Sequence, residues 1–271
     1  MTIPIKVKRG RPEPRLERFQ EVLLAARHTE YYAPRLEAAG LATPWEVGSL
    51  REIEDGLARL PAVNLRAFLE RPESFRNQAF RAVPGLEAER AEEEAPGGWR
   101  RTLRLRPHAL AGSFGALESL ARGIRSGKLS MAPTLRRVTV HSRVDRGLLR
   151  EADRDSLWRV FELPVFEQLR GWDGELLAWE CEAHTGLHLE AEHAVVEAPG
   201  NGGGGELLLT SLAGLRYPML RMLTGLIGRY TEGLCECGET SGRVVLSSCV
   251  RKPPAVERAS FDFVSQGALA R

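Results

Sequence analysis

The amino-acid sequence predicts a mixed α/β protein, with a helical amino-terminal part, then an α/β layer, then a β-rich part. Three observations support this fold class. Apolar residues recur at helical spacing after Pro14, in RLERFQEVLLAAR. Helix and strand patterns alternate between Ala116 and Phe166, an order typical of parallel strands joined by helices. From residue 176 onward, strand-like segments separated by glycines dominate.

Changes in composition divide the chain into five predicted ranges. They are a basic, proline-containing flexible arm at 1–13, a helical segment at 14–95, an α/β layer at 96–175, a β-rich subdomain at 176–248 and a tail at 249–271.

The predicted elements follow from local patterns. In the helical segment, Gly40 is placed to end a second short helix as a carboxyl-terminal cap. Arginines alternate with apolar residues from Trp99 to Leu105, which predicts a strand. The remaining elements of the α/β layer are a helix at Ala116–Ile124, a strand at Leu135–His141 with β-branched residues at its centre, a helix at Asp153–Phe161 and a strand at Pro164–Phe166.

Composition excludes several classes of protein. The chain has 271 residues, of which 43% are apolar and 27% charged, as in an ordinary globular protein. With 38 basic and 36 acidic residues, its overall charge is too balanced to predict a nucleic-acid or membrane partner. No apolar run approaches the length of about 18 residues that a transmembrane helix needs. Four cysteines in so long a chain do not fit a disulfide scaffold, so we expect reduced thiols and a cytoplasmic protein.

Cysteine and histidine concentrate between Trp179 and Gly242, where three of the four cysteines fall. Cys235 and Cys237 can present two sulfurs from one tight turn, and Cys181 can add a third. His188 or His184 can add a nitrogen. Zinc binds thiolates and imidazole in this tetrahedral combination, and four protein ligands make such a site structural. The alternative is a set of ordinary reduced thiols.

Four motifs occur here in a fixed order: EC-x-x-x-x-GLH, GELLLTSL, P-x-L-R-x-x-TG and C-x-CG. Over about Val138 to Gly242 this order resembles the phenylacetate–CoA ligase family of the adenylate-forming (AMP-dependent synthetase) superfamily. The resemblance implies part of the amino-terminal domain of that fold. Some family members hold zinc with this cysteine and histidine set, and the ligands it implies are Cys181, His188, Cys235 and Cys237.

The same resemblance implies a nucleotide site, with ATP or AMP and CoA as cofactors if the site is retained. The residues at the corresponding motif positions are Gly171, Asp173, Glu175, Arg221, Thr224 and Gly225. Asp173 or Glu175 would hold a cation there, and the alternative is a solvated turn.

The sequence also departs from the family pattern. Instead of a phosphate loop it offers only the pentapeptide Ala111–Gly115, which follows no clear strand pattern and reads as a loop or a helix start. The family's ribose-binding aspartate is replaced by Leu226. We expect the small carboxyl-terminal domain with its catalytic lysine to be missing.

Two functions remain. The first is a zinc-stabilised binding or accessory protein without catalytic residues. Its partner would be another protein or a small acyl ligand, and it could form a homodimer. The second is an acyl- or aryl-acid adenylating enzyme with a divergent ATP site. Zinc-dependent hydrolysis, with Glu180 or Glu182 as general base, is disfavoured because four protein ligands leave no position for water.

Overall fold

The computed structural model describes residues 14–41, 50–81, 98–197 and 205–249. The helices in these ranges are α1 (Pro14–Arg27), α2 (Ala33–Ala38), α3 (Leu50–Arg59), α4 (Leu65–Glu70), α5 (Gly98–Arg104), α6 (Phe114–Arg125) and α7 (Glu151–Phe161). The strands are β1 (Val63–Asn64), β2 (Ala109–Gly112), β3 (Arg137–Arg143), β4 (Val165–Arg170), β5 (Leu176–Glu180), β6 (Leu187–Leu189), β7 (Ala194–Glu197), β8 (Gly205–Ser211), β9 (Met222–Thr231) and β10 (Arg243–Cys249). None of these helices combines the length and apolar character that crossing a bilayer requires.

One mixed sheet contains these strands in the order β2-β3-β4-β5-β6-β10-β9-β8-β7, with β1 beside β9. Strands β2, β3 and β4 are parallel, and the direction changes at β5, after which the neighbours on this path are antiparallel. The predicted mixed α/β fold is therefore confirmed. Strands of the predicted α/β layer and of the β-rich part join the same sheet. The sheet therefore does not mark the boundaries of the five ranges, which stay a prediction.

Helices α6 and α7 pack on the parallel strands and form one hydrophobic core with them. The buried residues of this core include Leu117 and Leu120 from α6, Leu157 from α7 and Val138 from β3. The four predicted elements from Ala116 to Phe166 are confirmed, with ends that differ by at most four residues. Fully buried β-branched residues in the middle of β3 are typical of a parallel strand covered on both faces.

Two expectations for the start of this layer are wrong. The segment from Trp99 is the helix α5, because Trp99 and the buried Leu103, four residues apart, pack on the same core. The Ala111–Gly115 pentapeptide begins inside a strand, because Ala111 and Gly112 are the last two residues of β2. Its reading as a helix start is confirmed, since the Ser113 side chain accepts a hydrogen bond from the Ala116 N–H at 3.3 Å and caps α6.

The helical segment packs on the antiparallel half and forms a second core with it. The hydroxyl of buried Tyr32, just before α2, accepts a hydrogen bond from the Leu220 N–H at 3.1 Å and donates one to the Leu220 carbonyl at 3.3 Å. The Phe68 ring of α4 stacks on Trp172 with 3.5 Å between ring centroids. Trp172 lies in the turn between β4 and β5, so this stack joins the helical segment to the point where the sheet changes direction.

Replacing Trp172 by alanine should destabilise the protein by roughly 3–5 kcal/mol, as removal of a large buried aromatic side chain does. Trp172 is 3% exposed and Trp158 on α7 is 57% exposed, so Trp158→Ala is a matched control that should change stability by about 0.5 kcal/mol or less. Urea unfolding of both variants measures the difference. Equal losses in the two variants would contradict a central role for the Phe68–Trp172 stack.

Candidate metal centre

Three neighbouring strands bring the predicted metal ligands together. Cys181 directly follows β5, His188 lies on β6, and Cys235 and Cys237 lie in the turn between β9 and β10. Because β6 pairs with β5 on one side and with β10 on the other, these segments meet at one end of the three strands. The sheet topology therefore places four residues, up to 56 positions apart in the sequence, at one site.

The ligand atoms of these four residues all lie within 4.8 Å of one another. The Sγ atoms of Cys181 and Cys235 are 3.7 Å apart, and Cys237 Sγ lies 3.5 Å from His188 Nε2. A disulfide would need about 2.05 Å between sulfurs. Tetrahedral zinc, with Zn–S about 2.3 Å and Zn–N about 2.05 Å, separates its ligand atoms by about 3.8 Å and about 3.6 Å. The separations of 3.7 Å and 3.5 Å match the edges of such a tetrahedron.

The turn that carries Cys235 and Cys237 is fixed by backbone hydrogen bonds. The Cys235 N–H donates to the Glu239 carbonyl at 2.8 Å, and the Gly238 N–H donates to the Cys235 carbonyl at 2.9 Å. Gly238 has φ +90°, which glycine adopts without a steric penalty. The expectation that glycine permits this tight turn is confirmed.

The two buried thiols of the centre have different electrostatic surroundings. A hydrogen bond from the Cys237 backbone N–H is the largest of the interactions that lower the pKa of Cys235 to about 6. A hydrogen bond from the Thr185 side chain lowers it further. The Arg243 guanidinium also donates to Cys235 Sγ, at 3.1 Å. Burial raises the pKa of Cys181 to about 11. Thiols bind a metal as thiolates, so binding at Cys181 would release its proton.

His188 is the histidine that belongs to the cluster. It is fully buried, and its Nδ1 lies 3.3 Å from Ser241 Oγ, which leaves Nε2 to face Cys237 Sγ. The Trp179 ring stacks on the imidazole with 4.8 Å between centroids and fixes its plane. A second hydrogen-bonding partner of this kind is the usual way in which a metal-binding imidazole is oriented.

The alternative histidine, His184, lies outside the cluster. Its Nδ1 is 2.7 Å from Glu180 Oε1 and its ring stacks on Phe166. Glu180 also accepts hydrogen bonds from Arg154 at 3.0 Å and from the Glu167 N–H at 2.9 Å. Glu180, one of the two candidate bases for zinc hydrolysis, is thus held in contacts that join β4, β5 and α7.

The turn between β4 and β5, Gly171–Glu175, contains three residues predicted to bind a nucleotide or cation. Asp173 Oδ2 accepts hydrogen bonds from the backbone N–H groups of Arg216 at 2.7 Å and Tyr217 at 3.3 Å. Glu175 Oε1 accepts one from Ser211 Oγ at 2.7 Å, and burial raises the pKa of Glu175 to about 7. The alternative expectation of a solvated turn is wrong, because this turn packs under the helical segment.

Gly171 is needed for this packing. A Cβ atom at Gly171 would lie 2.0 Å from Glu175 Oε1, and one at Gly214 would lie 2.8 Å from the same oxygen. Both glycines therefore allow the chain to close around the carboxyl group of Glu175.

The other three residues predicted to bind the nucleotide also make hydrogen bonds within the fold. Arg221 donates two bonds of 2.9 Å to the carboxylate of Glu197 and contacts the Leu60 carbonyl. Thr224 Oγ1 donates to the Leu207 carbonyl at 2.9 Å, in the interior of the sheet. Gly225 has φ +72° and its N–H donates to Glu206 Oε1 at 2.9 Å. Leu226, at the position where the resemblance implies an aspartate, is 5% exposed and belongs to the hydrophobic core.

Three polar residues that contact the cysteine and histidine cluster, Thr185, Ser241 and Arg243, were not predicted from the sequence. Arg243 Nη1 donates to Thr185 Oγ1 at 2.8 Å as well as to Cys235, and Ser241 orients His188. The sequence indicates two of these residues, because Ser241 and Arg243 follow Cys237 within six positions. Polar residues close in sequence to Cys235 and Cys237 are candidates for hydrogen bonds that orient the cluster.

Glu175→Gln should make the pH dependence of stability between pH 4.5 and 7 less steep, while buried Glu167, whose pKa is also raised to about 7, keeps its own contribution. Because folding raises the pKa of the Glu175 carboxyl group from 4.5 to about 7, its stabilising contribution is complete below pH 4.5. The contribution is lost as the pH rises to about 7, by on the order of 3 kcal/mol. Urea unfolding across this pH range gives the measurement, and Glu162→Gln, at an exposed position, is the control. Parallel pH profiles for Glu175→Gln and the parent would contradict the assignment.

Comparison with known proteins identifies the fold. No family model matches the chain, and no curated protein sequence matches it either. Three solved structures of 2-hydroxyisobutyryl-CoA ligase are similar to it. The ligase structure with 2-HIB-AMP and CoA in the thioesterification state has a TM-score of 0.59 and 18% sequence identity to this chain. The match covers 93% of this chain and 70% of the ligase. An open conformation with the same molecules gives 0.57 at 17% identity, over 85% of this chain and 67% of the ligase. The postadenylation state with R3-HIB-AMP gives 0.56 at 18% identity, over 90% and 71%.

The structural neighbours of the chain are thus acid–CoA ligases of the adenylate-forming superfamily, at low identity. The chain spans about 70% of the ligase length and the narrower likeness to phenylacetate–CoA ligases stays a prediction. What these comparisons establish is that the chain has the mixed α/β fold of an acid–CoA ligase over most of its length.

Proposed function

We propose that this protein is a zinc-stabilised relative of acid–CoA ligases that does not adenylate its ligand and acts as a binding or accessory protein. Its ligand would be a small acyl compound or a protein partner. The observation that carries the proposal is the apolar burial of Leu226 at the position where the resemblance implies a ribose-binding aspartate.

The donor set supports zinc as the metal. Three thiolates and one imidazole are soft or borderline ligands, which favour zinc over magnesium or calcium. A bound ion would link β5, β6 and the turn between β9 and β10, and Cys237 is the one ligand exposed to solvent. Because four protein ligands complete a tetrahedral shell, the ion would stabilise the fold and leave no position for a reacting water.

The loss of adenylation is supported by what the motif residues contact. Leucine has no acceptor for the ribose hydroxyls, and each hydrogen bond to a charged group contributes about 1.5–3 kcal/mol. Two missing bonds would therefore weaken nucleotide binding at least a hundredfold. Arg221 is already paired with Glu197 through both carboxylate oxygens, so a nucleotide would have to compete with that ion pair.

The second candidate is an acyl- or aryl-acid adenylating enzyme with a divergent ATP site. One specific observation favours it. The neighbouring ligase structures contain an acyl-adenylate and, in two of the three states, CoA, and their fold extends over most of this chain. Under this candidate Asp173 or Glu175 would bind the cation that accompanies ATP.

We expect the purified protein to contain about one equivalent of zinc and to lose stability when a chelator removes it, because binding free energy of a structural metal adds to folding free energy. His188→Ala should abolish stoichiometric zinc. His184→Ala is the matched control and should retain it, since that imidazole binds Glu180. Elemental analysis and thermal unfolding with and without chelator measure both effects.

Metal-free parent protein, or equal zinc content in the two histidine variants, would count against the zinc proposal.

We also expect no ATP–pyrophosphate exchange with aryl or fatty acids. The physical reason is the absence of a ribose acceptor at Leu226. The assay should include an active acid–CoA ligase as a positive control, and ATP binding should be measured separately by calorimetry. Exchange above background with any acid would favour the adenylating enzyme and remove this proposal.

A further inference from the structure

The overall charge balance hides an uneven distribution of charge. Residues 98–137 contain nine basic side chains and one acidic side chain, Glu118, whereas the complete chain has 38 basic and 36 acidic residues. All nine of these basic side chains are exposed. The surface formed by this part of the chain is therefore strongly positive, although the protein as a whole is nearly neutral.

The topology gathers these charges at one edge of the fold. Helix α5 leads into the start of β2, and α6 ends where the chain returns to the start of β3. The two connections lie side by side, because the Arg136 N–H donates to the His108 carbonyl at 2.9 Å and Thr134 Oγ1 donates to the Pro107 carbonyl at 3.0 Å. We call the exposed surface of residues 100–106, 122–128 and 136–137 the basic edge.

Exposed aliphatic side chains interrupt the basic edge. Leu105 is 78% exposed between Arg104 and Arg106, and Met131 is 38% exposed in the connection after Lys128. An aliphatic side chain this exposed and flanked by cations contributes nothing to the core. It is the residue type that enters the acyl boundary when a protein lies on a bilayer.

The stability of helices explains only part of this pattern. Basic residues near a helix carboxyl terminus interact favourably with the helix dipole, which accounts for Arg104, Arg122 and Arg125. Arg106, Lys128, Arg136 and Arg137 lie beyond the helices, so the dipole does not account for them.

We propose that the basic edge docks on the anionic surface of a phospholipid bilayer. Eight of its nine basic residues are arginines, whose planar guanidinium groups bind phosphate through two hydrogen bonds. Aliphatic Leu105 and Met131 favour a bilayer over nucleic acid, because bases bind to exposed aromatic rings and Trp99 packs toward the core. The protein would lie on the membrane without spanning it, in line with the described helices.

Vesicle sedimentation tests the proposal with the complete chain, which includes the acidic run at 87–94 outside the described residues. Vesicles of equal parts phosphatidylglycerol and phosphatidylcholine should bind the protein, and pure phosphatidylcholine should not. Binding should weaken as salt rises, because the attraction is screened. Lys128→Glu with Arg136→Glu, two exposed positions, should weaken binding at least twentyfold, since each basic residue near an anionic surface strengthens binding about fivefold.

The matched control reverses two exposed arginines elsewhere, Arg66→Glu with Arg229→Glu, and should leave vesicle binding unchanged. Leu105→Ser should weaken binding while retaining its salt dependence, which separates apolar insertion from charge attraction. Equal thermal unfolding of all variants excludes misfolding as the cause. Failure of the parent to bind anionic vesicles, equal losses in the two double variants, or binding only to double-stranded nucleic acid would overturn the proposal.

Discussion

A buried turn, Gly171–Glu175, holds the parallel and antiparallel halves of the sheet together. Trp172 stacks on Phe68 of the helical segment, Asp173 accepts two backbone N–H groups, and Glu175 binds Ser211 at the end of β8. Each contact reaches a different part of the chain. The turn therefore fixes the position of β5 relative to the helical segment and to β8 at once.

Strand β5 carries this constraint to the metal centre. The turn lies at its start and Cys181 follows its end, so five residues, about 17 Å of extended chain, separate the two sites. Pairing of β5 with β6 sets Trp179 opposite His188, where the two rings stack. The donor separations at the metal centre thus depend on strand register, because a shift of one residue would turn His188 to the opposite face of the sheet.

The sequence was sufficient for the elements whose patterns are local. Buried β-branched residues in β3 and the amphipathic pattern of α6 identify their structures without knowledge of their neighbours. Arginines that alternate with apolar residues after Trp99 predict a strand from local pattern alone. The segment forms the helix α5 because Trp99 and Leu103, four residues apart, both pack on the core. Residue type and order were enough to predict that Cys181, His188, Cys235 and Cys237 form one cluster, and their ligand atoms lie within 4.8 Å of one another. The choice between His184 and His188 depended on where the chain turns after β5, which no local pattern specifies.

Residues that match a nucleotide motif have contacts that the motif alone did not predict. An arginine can bind a phosphate or a carboxylate with the same two donors, and Arg221 uses them on Glu197. A threonine hydroxyl can bind a ligand or a backbone carbonyl, and Thr224 donates to Leu207. Since these residue types serve both purposes, motif identity cannot separate a ligand site from an internal support. The contact partners of a residue can distinguish a ligand site from an internal support. At Leu226 the residue type is enough, because a buried aliphatic side chain has no atom that can accept a hydrogen bond from a ribose.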